Sequence, residues 1–209
     1  MIATQLRRKV ITGELSPGSL VSEAALANHL NCGRTPLREA LQQLTHEYLV
    51  LTPPRRGILI PQLSIADYRQ LSEAQLLTGS VIAELAAERI SEGQLKNLKD
   101  IIVRQEQCNE QAEFYTLAEL DGQFHTLIAT ATGNRFFADF TSRLHGALAR
   151  FVFCAYEAVG NADLSIAEHR DIVEALETGD GKLAKLATRN HVAKATQRVL
   201  NILGLGEQG

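Results

Sequence analysis

Residues 65–203 carry apolar side chains at helical spacing, and no strand pattern appears after residue 61. Such periodicity is typical of amphipathic helices that bury one face. Glycine together with Asn or Asp interrupts it at residues 133–134, 160–163 and 179–181, and these breaks predict turns between helices. The chain is also rich in Ala, Leu, Glu and Gln, which favour helix. We therefore expect a mainly α protein whose C-terminal domain, residues 64–209, is an antiparallel helical bundle.

A second pattern, within residues 1–63, predicts a helix-turn-helix. Ser22 is a predicted N-cap for one short helix, and a turn near Gly33 separates it from a second helix with Pro36 in its first turn. An apolar stripe follows this second helix at Leu37, Ala40, Leu41 and Leu44. Near the helix start and off the stripe lie Arg34, Thr35 and Arg38. A helix of this kind can enter the DNA major groove, and the alternative is a surface helix with two solvated arginines.

Two aliphatic runs follow the second helix, at residues 48–52 and 57–61. The segment between them ends in Arg55, Arg56 and Gly57. Together they predict a β-hairpin, or wing, with a basic tip. A glycine at this point permits close approach of the backbone to a phosphate or a groove. A solvated turn is the alternative.

The charge distribution separates the same two halves of the chain. The net charge is −3, but residues 1–63 carry seven Lys and Arg against four Asp and Glu, whereas residues 64–209 carry fourteen against twenty. A basic N-terminal domain joined to an acidic one is consistent with nucleic-acid binding by the first. The three scattered cysteines predict neither a disulfide framework nor a Cys metal site. Without a long apolar run or a signal-peptide pattern, we expect a cytoplasmic protein that does not enter the membrane.

Residues 11–61 resemble the winged helix-turn-helix of the GntR family of bacterial transcription regulators. The resemblance rests on Ile11, Gly13, Leu15, Pro17-Gly18, Leu20, Ser22-Glu23, Leu26-Ala27, residues 34–41, Leu44, Leu49-Val50 and Arg56-Gly57. Two positions depart from the family, which often has Ser where Gly33 stands and usually has Gly where Tyr48 stands. By motif position the resemblance implies DNA contacts at Arg34, Thr35, Arg38 and Gly57, and we include Arg56 at the tip of the wing.

Polar side chains on the apolar faces of the C-terminal helices suggest a metal site. Asp121 and His125 are four residues apart and share a helix face with apolar neighbours. His169 and His191 lie among apolar residues on two later helices, so the four could converge inside the bundle. Three imidazoles and one carboxylate are ligands for Zn²⁺, Ni²⁺ or Mn²⁺. The alternative is that each histidine is separately hydrogen-bonded or solvated. His145 belongs to no such pattern, and we interpret it as structural.

Residues 64–209 resemble the FCD effector domain of the FadR-type GntR regulators. The matching segments are residues 121–125, Gly133-Asn134, residues 168–176, Gly179-Asp180 and residues 187–191. Some members of this subfamily bind a divalent metal ion through one Asp and three His. The resemblance implies that Asp121, His125, His169 and His191 hold such an ion in this chain. The family commonly has an Arg and, four residues later, a Glu on the first bundle helix, where Ala74 and Thr78 stand in our alignment. Arg143 and Arg150 are therefore our candidates for binding the carboxylate of an effector.

The leading functional hypothesis is a homodimeric, ligand-responsive transcription regulator. A dimer would place two recognition helices about 34 Å apart, one turn of DNA, on a pseudo-palindromic operator. The resemblance implies a small organic acid as effector, with the divalent metal beside it. One alternative is a metal-dependent enzyme of the helical-bundle type, since three His and one Asp leave coordination positions open. Another is a regulator whose metal is structural or is itself the signal.

Overall fold

The computed structural model describes residues 2–54 and 56–203, and the chain divides into two compact units, Met1–Ser64 and Ile65–Gly209. Within these described ranges the structure has nine α-helices and two short strands. The predicted mainly α fold class, with an N-terminal helix-turn-helix and a C-terminal helical bundle, is confirmed. None of the described helices is long and apolar enough to cross a membrane.

The first unit contains helices α1 (Ile2–Ile11), α2 (Glu23–His29) and α3 (Arg34–His46). The predicted cap of α2 is confirmed, because the Ser22 hydroxyl accepts a hydrogen bond from the backbone N–H of Ala25 at 3.1 Å. The apolar stripe of α3 is buried against α1 and α2. The core of this unit includes Leu6, Val10, Leu26, Leu37 and Leu44.

The strand pairing in this unit differs from the predicted hairpin. Strand β1 (Leu20–Val21) pairs antiparallel with β2 (Ile58–Leu59), and the predicted run at residues 48–52 contributes a single bridge, from Leu51 to Leu59. Tyr48 explains the difference, since its φ of 58° lies in the left-handed region and places a turn where the first strand was expected. Arg55, part of the predicted basic tip, lies outside the described residues.

The second unit is a bundle whose helices end close to the predicted breaks. Its helices are α4 (Ile65–Ala87), α5 (Glu92–Glu110), α6 (Phe114–Ala131), α7 (Arg135–Val159), α8 (Asp163–Glu177) and α9 (Gly181–Ile202). Ser91 caps α5 in a capping box with Gln94, and Gly160 ends α7 with a φ of 78°. Helix α6 packs against α4, α5 and α7, while α8 and α9 pack on each other. These contacts bring one face each of α6, α8 and α9 into a shared interior around the buried Phe124.

Candidate functional site

Four polar side chains meet in the interior of the helical unit. Asp121 and His125 come from α6, His169 from α8 and His191 from α9. One potential ligand atom from each lies within 4.8 Å of the others. The imidazole ring of His125 is centred 5.3 Å from that of His169 and 5.2 Å from that of His191. The structure thus brings together the four residues that the sequence suggested.

A buried amide orients His169. Its Nδ1 lies 3.0 Å from Oε1 of Gln105, a side chain of α5 that is 1% exposed. Because an amide oxygen only accepts, Nδ1 carries the proton and Nε2 presents a lone pair to the cluster. That Nε2 lies 3.5 Å from Oδ1 of Asp121. Nε2 of His169 and Nε2 of His125 are both buried. Within the described part of the chain, neither of these two nitrogen atoms has a hydrogen-bond partner.

A carboxylate and a guanidinium orient His191 in the same way. Nδ1 of His191 lies 3.0 Å from Oε2 of Glu168. The same carboxylate accepts two hydrogen bonds from Arg198, at 2.8 Å and 2.7 Å. Burial raises the pKa of Glu168, but the hydrogen bonds from Arg198 and His191 outweigh it and lower that pKa to about 2. Glu168 therefore stays ionised and leaves Nε2 of His191 free to act as a ligand.

The protonation states in the cluster match those that a metal requires. Burial, followed by the neighbouring His145, holds the pKa of His125 well below its ordinary value. Burial, followed by His191, lowers the pKa of His169 to about 3. Burial opposes ionisation of Asp121, yet its hydrogen bond with His145 and the surrounding imidazoles lower the pKa of this carboxyl. At neutral pH these two histidines are neutral and Asp121 is charged, and metal ligands take those states.

Further residues at the cluster escaped the sequence analysis. His145 of α7, which we interpreted as structural, stacks on His125 at 4.4 Å between ring centroids and places Nδ1 3.6 Å from Oδ2 of Asp121. The Tyr156 hydroxyl donates to Oδ1 of Asp121 at 3.3 Å. Gln75, one residue after Ala74, has its amide nitrogen 3.4 Å from Nε2 of His145. The one sequence signal for His145 is its helical spacing of three residues from the apolar Leu148, and that spacing does not identify Asp121 or His125 as its partners.

The structure does not bring the two candidate effector-binding arginines to this cluster. Arg143 pairs with Asp139 on the surface of α7, and Arg150 is buried, with its pKa lowered by that burial, but does not line the cavity beside the cluster. Arg143 and Arg150 lie two and five residues from His145 along α7. At about 100° per residue, their side chains leave the helix about 200° and 140° around its axis from that of His145. Among the described residues that line the adjoining cavity, the one arginine is Arg198.

The predicted DNA-contacting side chains lie on the surface of the first unit. Arg34 and Thr35 are exposed in the first turn of α3, and Arg38 places Nε 3.1 Å from a carboxylate oxygen of Glu23 at the start of α2. Arg56 is also exposed. Their exposure leaves the polar groups accessible to a ligand.

Gly57 has a structural role within the first unit. Its φ is 89°, and a Cβ atom there would lie 2.8 Å from the backbone oxygen of Val21. The pairing of β1 with β2 therefore requires a glycine at this position, whether or not DNA approaches it.

Two known protein families match the two units of the chain. Residues 1–60 match the bacterial regulatory proteins of the gntR family, and residues 70–194 match the FCD domain. The chain belongs to the GntR family, with an FCD domain. It is therefore a DNA-binding regulator of transcription and not an enzyme.

Relatives of this GntR regulator include other proteins described as regulators of transcription. An uncharacterized HTH-type regulator in an unstable DNA locus of Streptomyces ambofaciens is 33% identical over 195 residues, covering 91% of this chain and 80% of that protein. The repressor RspR of Escherichia coli K12 is 26% identical over 197 residues, covering 94% and 86%.

Solved structures share the fold of this GntR regulator. E. coli McbR/YncC has a TM-score of 0.77 at 20% identity, covering 97% of this chain and 95% of that one. A putative GntR regulator from Rhodococcus sp. RHA1 has a TM-score of 0.76 at 18% identity, with 96% of each chain covered.

Proposed function

We propose that the helical unit of this regulator binds one divalent metal ion and a small organic acid beside it, and that this ligand state controls operator binding. Asp121, His125, His169 and His191 would hold the ion. The observation that supports this best is the pair of buried Nε2 atoms, on His125 and His169, without a hydrogen-bond partner in the described chain. Burying such atoms is costly unless something binds them, and a cation does so.

The chemistry of the donor set supports Zn²⁺, Ni²⁺ or Mn²⁺. Imidazole nitrogen and carboxylate oxygen bind such ions at about 2.0–2.2 Å, so two ligands on opposite sides of an ion are at most about 4.4 Å apart. The widest separation, within 4.8 Å, must therefore shorten by a few tenths of an ångström if those two ligand atoms lie on opposite sides of the ion, and by roughly 1 Å or more around a tetrahedral ion. The bound ion would supply positive charge that attracts a carboxylate.

In the first unit, we propose that α3 and the loop before β2 contact DNA through Arg34, Thr35, Arg38, Arg56 and Gly57. The exposed arginines at the start of a helix whose other face is buried support this assignment. A homodimer would place two such helices one turn of DNA apart on a pseudo-palindromic operator, in the cytoplasm where the chromosome lies. The effector can act only by binding the DNA-competent and incompetent states with unequal affinity.

Zinc titration of the metal-stripped, full-length protein tests the metal assignment. We expect one high-affinity site per chain, and His169→Ala should weaken it by more than about 100-fold, because changes to supporting residues alone cost about 10–100-fold. The matched control is His46→Ala, which removes an exposed histidine from the first unit. Equal zinc affinity in His169→Ala and in the unaltered chain would overturn the proposal.

A regulator with a purely structural metal is a second candidate, favoured by the deep burial of the cluster. The exposed fractions of the four ligands are 7% or less. Thermal melting separates the two functions, since a ligand of the folded state raises the melting temperature. We expect small carboxylic acids to raise the melting temperature of the zinc-loaded protein. If zinc raises it and a panel of such acids does not, the structural function is correct.

A further inference from the structure

A cavity adjoins the cluster and has two chemically different parts. Its polar part includes Asp121, His145, His191 and Arg198, and uncharged polar side chains such as Gln75, Asn161 and Ser165 also line the cavity. Its apolar wall includes Leu148, Val152, Ala155, Val159, Leu164 and Val199. The cavity volume is about 80 Å³. Val159 and Leu164 are more than half exposed, so the wall continues to the surface.

Positive charge in this cavity is scarce. The one Lys or Arg among its described lining residues is Arg198. Both terminal nitrogens of this guanidinium already donate to Glu168, and one of them also donates to Ser165 at 3.1 Å. Arg198 is thus already paired with a protein carboxylate. The proposed metal ion would be the other positive charge at this cavity that could attract the carboxylate of a ligand. A second carboxylate on the same ligand would find no further Lys or Arg among the described lining residues, and against the apolar wall its unpaired charge would be costly.

We infer that the effector is a monocarboxylate with a short apolar body, rather than a di- or tricarboxylate. This inference rests on the proposed function, because the metal supplies the charge for the carboxylate. The polar part of the cavity takes the carboxylate, and the apolar wall takes the body of the ligand. Each methylene buried against the wall contributes about fourfold in affinity.

Calorimetric titration of the zinc-loaded, full-length protein with three acids tests the ligand class. Hexanoate has one carboxylate and an apolar chain, adipate has the same number of carbons with a second carboxylate, and acetate has the carboxylate with a single methyl. We expect hexanoate to bind at least about tenfold more tightly than either of the others. Adipate or acetate binding as tightly as hexanoate would overturn the inference.

Two substitutions test the position of the apolar body. Ala195 lines the cavity one turn after His191 on α9, whereas Ala193 is exposed outside it. We expect Ala195→Leu to weaken hexanoate binding at least about tenfold and Ala193→Leu to leave it within about twofold. Leu164→Glu places a charge at the exposed part of the wall, and its control is Leu77→Glu, because both leucines are 63% exposed. Hexanoate binding that survives both Ala195→Leu and Leu164→Glu would overturn the inference.

Zinc uptake distinguishes the two possible failures. A chain that takes up no zinc contradicts the proposed function, and the inference falls with it. A chain that takes up zinc at one site and binds adipate or acetate as tightly as hexanoate contradicts the inference alone. A chain that takes up zinc but binds none of the three acids contradicts the proposed effector as well, and leaves only the metal assignment standing.

Discussion

The two units present their polar residues in opposite ways. In the first unit, Arg34, Thr35 and Arg38 are exposed on one short helix, and the fold needs only the apolar face behind them. In the second unit, Asp121 and the three histidines are buried on three helices, and other buried or half-buried side chains fix their orientation. A surface contact can thus be formed by a few consecutive residues, whereas a buried polar cluster requires partners from several helices.

The largest expected effect concerns the exposed site. The double variant Arg34→Ala, Arg38→Ala should lose about 2–6 kcal/mol of operator binding, because one bidentate arginine–guanine contact provides about 1–3 kcal/mol. Gel-shift titration on DNA upstream of the protein's own gene measures this loss. The matched control is Arg104→Ala, Arg189→Ala, which removes two exposed arginines from the helical unit. Equal losses in the two double variants would show that α3 has no special part in recognition.

A smaller effect is expected from the residues that support the buried site. Glu168→Gln keeps the size of the side chain but removes the charge that faces His191 and Arg198. We expect zinc affinity to fall by about 10–100-fold, as it does when other side chains that hydrogen-bond to a metal-binding histidine are changed. Glu174→Gln, an exposed position on the same helix, is the control and should bind zinc like the unaltered chain. If both variants bind zinc normally, orientation of His191 by Glu168 is unimportant.

The same contrast explains how much the sequence could predict. Helix ends were predictable because local chemistry determines them, as at the capping residues Ser22 and Ser91. Strand β1 (Leu20–Val21) was missed because its two residues gain strand character only by pairing with β2, almost forty residues later. That pairing is a tertiary contact without a local pattern.

Prediction of the buried cluster was partial for a related reason. The four candidate ligands stood out by residue type and motif, but His145 did not, because the face of α7 that points inwards depends on how α7 packs on α6. The same holds for Gln105 and Arg198, whose roles follow from contacts with residues 64 and 30 positions away. Periodicity identifies a buried face but not the partner that lies across from it.

The pH dependence of stability should also separate the two units. A histidine whose pKa is lowered on folding binds more protons when unfolded, so folding stability is lost as the pH falls below the ordinary value. For His169 the free energy of unfolding decreases as the pH falls from 6.5, the ordinary pKa, towards about 3, the pKa in the folded chain. The decrease is no more than about 1.4 kcal/mol per pH unit. Urea unfolding of the metal-free protein across this range should show the helical unit weakening. Constant stability over the range would contradict buried, neutral histidines.

The smallest expected effect lies at the turn after α3. Tyr48 is 62% exposed and has a φ of 58°, a conformation that costs a non-glycine residue about 1 kcal/mol or more. Tyr48→Gly should stabilise the chain by about 0.5–1 kcal/mol in urea unfolding, after the greater entropy of glycine in the unfolded chain is subtracted. Tyr48→Ala removes the same ring without relieving the backbone and should give no gain. A gain in both variants would assign the effect to the side chain instead.

The most direct test of the buried site is anomalous diffraction at the zinc absorption edge from crystals of the zinc-loaded protein. We predict one peak per chain, about 2.0–2.2 Å from the ligand atoms of Asp121, His125, His169 and His191. A zinc-loaded crystal with no peak among these four side chains, or with its peak held by other residues, would contradict the account.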